Sequence, residues 1–241
     1  MAVKELLGQL HEVAECPRKQ LERYLGEGRR VIAMAPVYGP QEIVHSMGLV
    51  PMGVWGADVE INEAKKYYPA FICSVMQTIL ELGIKGEYKG VSAIIIPSLC
   101  DSLKTLGQNW KYAVADIPFI PMTYPQNRKQ DYGIKFTRAG YGRVISSLEV
   151  ATGARFSEPA LVKSNAIYNE HNRVMREFAE IASYADITAT QRSDVFKSAW
   201  FMTVEEHTAI VKELNEELKK GARAEGKLRV LVTGILADSP S

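Results

Sequence analysis

The 241-residue chain carries 29 basic and 28 acidic side chains, a formal net charge of +1, and 46% hydrophobic residues. That is enough apolar material for one full domain with part of another, and it gives no electrostatic case for nucleic acid or an anionic membrane. Three cysteines with no CxxC pair argue against a disulfide framework and a zinc ribbon, so the thiols are expected to stay reduced in a cytoplasmic protein.

The chain opens with MAVKELLGQLHEVAE, which alternates charged and apolar residues at helical spacing. This lacks the continuous apolar core of a signal peptide, and no later stretch reads as a membrane span. The helix runs to about Tyr24, restarts around Pro17, and ends at the turn GEGRR. VIAMA (31–35) reads as a short buried strand, PVYG as a loop, Pro40 to Gly48 as a helix and LVPMGVW (49–55) as a second strand. A right-handed crossover makes these strands parallel and puts the PVYG loop on the carboxyl edge of the sheet.

FICSVMQTILELG is the next helix, with Cys73 in its first turn and Gly83 as its C′ residue. SAIIIPSL is a third strand ended by Pro97, CDSLKTLGQNWKYAV a further helix, and IPFIPMTYP a fourth strand. From Phe136 to Gly221 the pattern is almost wholly helical. KLRVLVTGILADSPS (227–241) reads as a strand and a small-residue turn that would introduce another helix. That strand either joins the first sheet or begins a second domain; the helix-entry pattern after it favours the second domain.

The expected fold is therefore α/β. An N-terminal helical arm (1–29) precedes a flavodoxin- or Rossmann-like parallel-sheet domain (30–135), a helical segment (136–226) and the truncated start of a second α/β domain (227–241).

Cys100 follows a strand and opens a helix on the edge where such sheets place ligands, and Cys73 also opens a helix. Helix N-termini favour the thiolate, so two thiols 27 residues apart in sequence could converge on one metal centre. The alternative is that each is a small buried hydrophobe, and spacing alone leaves that open. Cys16, on an amphipathic helix, reads as structural.

GEGRR precedes a strand, where a dinucleotide-binding loop must follow one. PVYGPQE does follow a strand, and its backbone N–H groups could face a ligand or form an ordinary loop. His11, His45, His171 and His207 are scattered without ligand spacing and read as solvated or half-buried. Glu42 is either an acid–base residue or a charge matched to its helix dipole; the dipole reading is simpler. Trp55, Trp110 and Trp200 read as core or interface anchors.

Five strings then carry a resemblance: PVYGPQEIVHSMGLVPMGVWG, YYPAFICSVMQTILELG, IIIPSLCDSLKTLGQNWK, YPQNRK and VLVTGILADS. In order along essentially the whole chain, they resemble the β subunits of 2-hydroxyacyl-CoA dehydratases, most closely the (R)-2-hydroxyisocaproyl-CoA type. These belong to a superfamily that includes the benzoyl-CoA reductases. The resemblance implies a [4Fe-4S] cluster between two α/β domains, with Cys73 and Cys100 as ligands and a third ligand expected beyond Ser241. Two thiolates alone would hold such a cluster weakly.

The resemblance also implies a radical hydro-lyase of anaerobic amino-acid fermentation that forms an (E)-2-enoyl-CoA from an (R)-2-hydroxyacyl-CoA. An ATP-hydrolysing iron–sulfur activator supplies one electron, the thioester becomes a ketyl radical that expels hydroxide, and the electron is returned after the β-proton leaves. The partner in the heterodimer is an α subunit, which holds most of the acyl-CoA, so this chain is expected to be inactive alone. Its own cluster would then be an electron relay, and no proton-transfer residue is named. The competing readings are an electron-relay or assembly subunit without turnover of its own, a benzoyl-CoA reductase-like subunit, and a structural fragment whose thiols bind nothing.

Overall fold

The computed structural model describes residues 3–35 and 38–221. Four apolar blocks form the strands β1 (Val31–Met34), β2 (Val50–Gly53), β3 (Ala93–Pro97) and β4 (Phe119–Met122), in the order β2-β1-β3-β4, with every neighbouring pair parallel. β1 and β3 are buried along their whole length, as central strands covered on both faces must be. The parallel α/β fold expected from the sequence is the one observed. The strand expected over 227–241 lies outside the described residues.

The helices are α1 (Val3–Glu15), α2 (Pro17–Gly26), α3 (Gln41–Ser46), α4 (Ser74–Ile84), α5 (Asp101–Ala113), α6 (Asp131–Thr152), α7 (Glu158–Ile181), α8 (Ala189–Ser198) and α9 (Val204–Lys220). Pro17 starts α2 at the position where a missing N–H costs nothing. α6 begins at Asp131, earlier than Phe136, where the sequence pattern starts the helical region.

The chain forms two compact units. In Leu21–Ser164, alternate strand residues Ile32, Met34, Ala93, Ile95, Ile120 and Met122 share one core with Ile43, Val44 and Met47 around α3 and with Val144 and Leu148 of α6. Ile94 and Ile96 point to the opposite face, which α5 covers. There Trp110 is fully buried and its indole N–H donates to the Ile117 carbonyl at 3.0 Å.

Gly83 is a correction to the sequence reading. It lies inside α4, against the Trp110 ring, and the residue in left-handed conformation is Gly86 (φ +82), just past the Lys85 C-cap. A helix ended at Gly83 would have left Ile84 outside it.

The described parts of Met1–Gln20 and Asn165–Ser241 form the other unit. Leu6, Leu7 and Leu10 of α1 pack with Phe178 and Ile181 of α7, Val195 of α8 and Val211 and Leu214 of α9. Leu6 and Leu10 stand one turn apart, so one face of α1 is apolar. Thr188 and Gln191 form a reciprocal capping box at the start of α8.

Candidate functional site

β1 connects through α3 to β2 on one side, whereas β3 connects through α5 to β4 on the other. The loops leaving β1 and β3 therefore diverge, and the carboxyl edge between them is the switch point where open α/β sheets hold ligands. A cleft of about 640 Å³ lies here. The loop after β1 contributes Tyr38, Gly39 and Pro40, the loop after β3 Leu99, and the loop after β4 Tyr124 and Arg128. Ile134, Thr137, Arg138 and Tyr141 of α6 complete it at spacings of three, four and seven residues, one face of a helix.

Two features fix the β1 loop. A Cβ at Gly39 would run into Cε of buried Met34, so a larger residue there would have to displace the end of that side chain. Tyr38 sits at φ 63, a left-handed conformation costing a side-chain-bearing residue roughly 1–2 kcal/mol, and the Tyr124 hydroxyl donates to its carbonyl. Burial first, then neighbouring Tyr141, pushes the Tyr124 phenol above its ordinary range, so it stays protonated and remains a donor.

The two candidate thiols stand at the same edge. β2 to β3 and β3 to β4 move the chain in the same direction across the sheet, so right-handed crossovers put α4 and α5 on one face, both starting at the carboxyl edge. The two helices pack side by side. Cys73 is the N-cap of α4 and its carbonyl accepts the Met76 and Gln77 N–H groups at 3.1 and 3.3 Å. Cys100 is the N-cap of α5 and its Sγ accepts the Leu103 N–H at 3.4 Å. Both are exposed and free of disulfides, whereas Cys16 is half-buried. The buried-hydrophobe alternative therefore fails on exposure for Cys73 and Cys100.

The loop entering Cys73 is held by side chains of α4 and α5. Glu81, fully buried, accepts the N–H groups of Ala64 at 2.7 Å and Asn62 at 3.2 Å, and Lys85 Nζ lies 3.0 Å from its other oxygen. Burial alone would push this carboxyl up; the Ala64 N–H, Lys85 and the Asn62 N–H outweigh it and hold it below the ordinary value. Gln77 Nε2 donates to the Ile72 carbonyl at 2.6 Å, and Asn109 Nδ2 to the Tyr67 carbonyl at 2.7 Å. Tyr68 is raised by burial and then by the nearby Cys73, and its buried hydroxyl has no partner among the described residues.

Soft sulfur donors suit iron–sulfur chemistry, and an unpartnered phenol O–H near Cys73 is a further donor a cluster could use. The chemistry of the donor set fits; its number is two. Among the described residues no group of three or more His, Cys, Asp or Glu gathers to hold a metal.

The histidines go to separate partners. His45 Nδ1 lies 2.9 Å from the Ser164 hydroxyl, which donates to the Glu42 carbonyl. His11 meets Asp194 and His171 meets Thr208, each at 2.9 Å, while His207 is fully buried. The sequence reading quoted Tyr124 and Arg128 within YPQNRK without giving them a role, and it missed Arg138, Tyr141 and Glu81; the α6 stripe at helical spacing could have signalled a face, but it does not say what that face meets. No helix among the described residues is long and apolar enough to cross a membrane.

Fold and edge together define a parallel-sheet α/β protein with a switch-point cleft and two exposed helix-capping thiols. Residues 36–241 match the family described as 2-hydroxyglutaryl-CoA dehydratase, D-component, and the chain belongs to that family. It is 43% identical over 233 residues to the (R)-phenyllactyl-CoA dehydratase beta subunit of Clostridium sporogenes, covering 95% of this chain and 62% of that protein. It is 43% identical over 242 residues to the lactoyl-CoA dehydratase subunit beta of Anaerotignum propionicum, covering 98% and 64%. The (R)-2-hydroxyglutaryl-CoA dehydratase subunit beta of Acidaminococcus fermentans is 35% identical over 247 residues, covering 100% and 65%. The chain thus spans just under two thirds of the length of these curated relatives.

Proposed function

We propose that this chain is the β-type subunit of a 2-hydroxyacyl-CoA dehydratase, in which Cys73 and Cys100 supply two thiolates to a [4Fe-4S] cluster. The observation that carries this reading is the pairing of two exposed thiols at the N-caps of neighbouring helices on one sheet edge. When bound, such a cluster would supply one-electron transfer, the chemistry that lets water leave a 2-hydroxyacyl thioester whose β-proton is not acidic.

The chain's own residues would hold and tune the sulfurs. The N-termini of α4 and α5 bring backbone N–H groups to both caps, and the Leu103 N–H is already directed at Cys100 Sγ. Glu81 fixes the loop that delivers Cys73. Leu99 and Phe71, the latter 86% exposed, give that edge an apolar rim suited to excluding water once covered. The remaining cluster ligands, the α-type partner, the ATP-dependent activator and the acyl-CoA belong to the same proposal. Its reaction is the conversion of an (R)-2-hydroxyacyl-CoA to the (E)-2-enoyl-CoA.

Anaerobic reconstitution with iron and sulfide tests it. The protein should gain a weakly held cluster with its broad sulfur-to-iron absorption, lose it in Cys73→Ser and in Cys100→Ser, and keep it in Cys16→Ser. Iron binding unchanged by either of the first two substitutions would sink the assignment.

A further inference from the structure

Arg128 and Arg138 reach the switch-point cleft from different elements, the loop after β4 and α6. Neither side chain makes a hydrogen bond or ion pair among the described residues, whereas Arg173 is held by Glu170 at 2.7 Å and Arg23 lies 3.5 Å from Glu27. Glu42 is the cleft's one carboxylate, so its lining keeps a surplus of positive charge. Guanidinium forks are matched to oxyanions, and two forks offer about ten N–H donors, more than the two oxygens of a carboxylate can use. A phosphate can use them.

The rest of the lining is aromatic. Tyr124 and Tyr141 meet edge to face at 6.3 Å, and Tyr38 is kept in its left-handed conformation at the rim. Backbone strain held by a specific side-chain hydrogen bond is characteristic of ligand clamps. The volume, about 640 Å³, lies within the range of small-molecule sites, and the position is where this fold class binds ligands.

We propose that the cleft binds a phosphate-bearing, nucleotide-sized ligand, its phosphate between Arg128 and Arg138 and its flat aromatic end against Tyr38, Tyr124 and Tyr141. A free adenine nucleotide and the nucleotide end of coenzyme A share this chemistry. The site stands on the cleft and not on Cys73 or Cys100, so failure of iron binding leaves it untouched.

Calorimetric titration of the protein with ADP, coenzyme A, pantetheine and inorganic phosphate tests it. ADP or coenzyme A should bind, pantetheine should not, and Arg128→Gln and Arg138→Gln should each weaken binding about tenfold. Tyr38→Ala should weaken the nucleotide and leave inorganic phosphate unchanged. Coenzyme A binding without ADP assigns the site to the thioester carrier, and equal binding assigns it to nucleotides at large. Both arginines are exposed, so unchanged thermal midpoints will separate lost contacts from lost fold. Absence of binding by both ADP and coenzyme A, equal binding of pantetheine, or affinity that survives both arginine substitutions overturns the proposal.

Discussion

Gly83 and Trp110 touch where α4 crosses α5: a Cβ built on Gly83 would stand 2.9 Å from Cη2 of the Trp110 ring and 3.0 Å from a methyl of Val114. The ring cannot retreat easily, since it is fully buried, bonded to the Ile117 carbonyl and stacked at 6.0 Å on Tyr88. The spacing of the two helices is set at this contact, and both helices carry a candidate thiol at their N-cap.

Gly83→Ala is therefore expected to destabilise the protein by about 1–3 kcal/mol despite alanine's better helix propensity, because overpacking outweighs the roughly 1 kcal/mol gained in the helix. A urea titration measures it. A midpoint at or above that of the wild type would mean that α4 and α5 can separate freely, and the helix pair would no longer fix the spacing of the thiols.

Glu81→Gln removes the partner of Lys85 and leaves a neutral amide to meet two N–H donors that now bond a carboxylate. A loss of about 1–3 kcal/mol follows, with faster proteolysis between Ala57 and Cys73 as the local signature. The folded carboxyl lies below its ordinary value of 4.5, so this stability is present above pH 4.5 and disappears as pH falls through the folded value. Equal cleavage rates in variant and wild type would show that the loop does not depend on Glu81.

The strands were legible because four apolar blocks of four or five residues are separated by turn signals, and β1 and β3 read as buried runs. Cys73 and Cys100 were legible as helix-opening residues for the same reason. The cleft was not. Arg128 and Tyr124 sit in a polar stretch with no period, and only the fold of α6 over the sheet brings Arg138 to the same cleft and Tyr141 against Tyr124. Glu81 was hidden because a glutamate in an apolar helix reads as solvent-facing, and its true partners are backbone groups 17 and 19 residues away. Gly83 misled because a glycine near a helix end is usually its stop; here it is a contact surface.

Tyr68 buries a hydroxyl with no acceptor among the described residues. Removing an unsatisfied buried polar group relieves its desolvation cost, so Tyr68→Phe should raise the stability of the metal-free protein by about 1 kcal/mol. After anaerobic loading with iron and sulfide the gain should shrink, since the phenol then has sulfur near Cys73 to meet. The same gain with and without iron would show that the hydroxyl has no part in the site.

His207 makes the strongest pH prediction. Its Nε2–H donates to the Val195 carbonyl at 3.0 Å, its Nδ1 is buried without a partner among the described residues, and the His171 ring lies 5.2 Å away. Burial first and His171 second push it down to about 3, so the folded protein keeps this ring neutral. As pH falls below the ordinary histidine value of 6.5, the unfolded chain takes up a proton that the folded one does not, and stability declines until the pH reaches the folded value. The slope from this one group approaches about 1.4 kcal/mol per pH unit. His171, also lowered by burial, adds in the same direction. Glu81, held below its ordinary value, keeps its charge in the folded protein between pH 7 and 5, so the two lowered histidines set the slope there. Urea midpoints at pH 7 and 5 should fall more steeply for the wild type than for His207→Gln, whose amide can still donate to Val195. Parallel losses in the two proteins would mean that His207 titrates in the folded state and that the helical unit admits water to it.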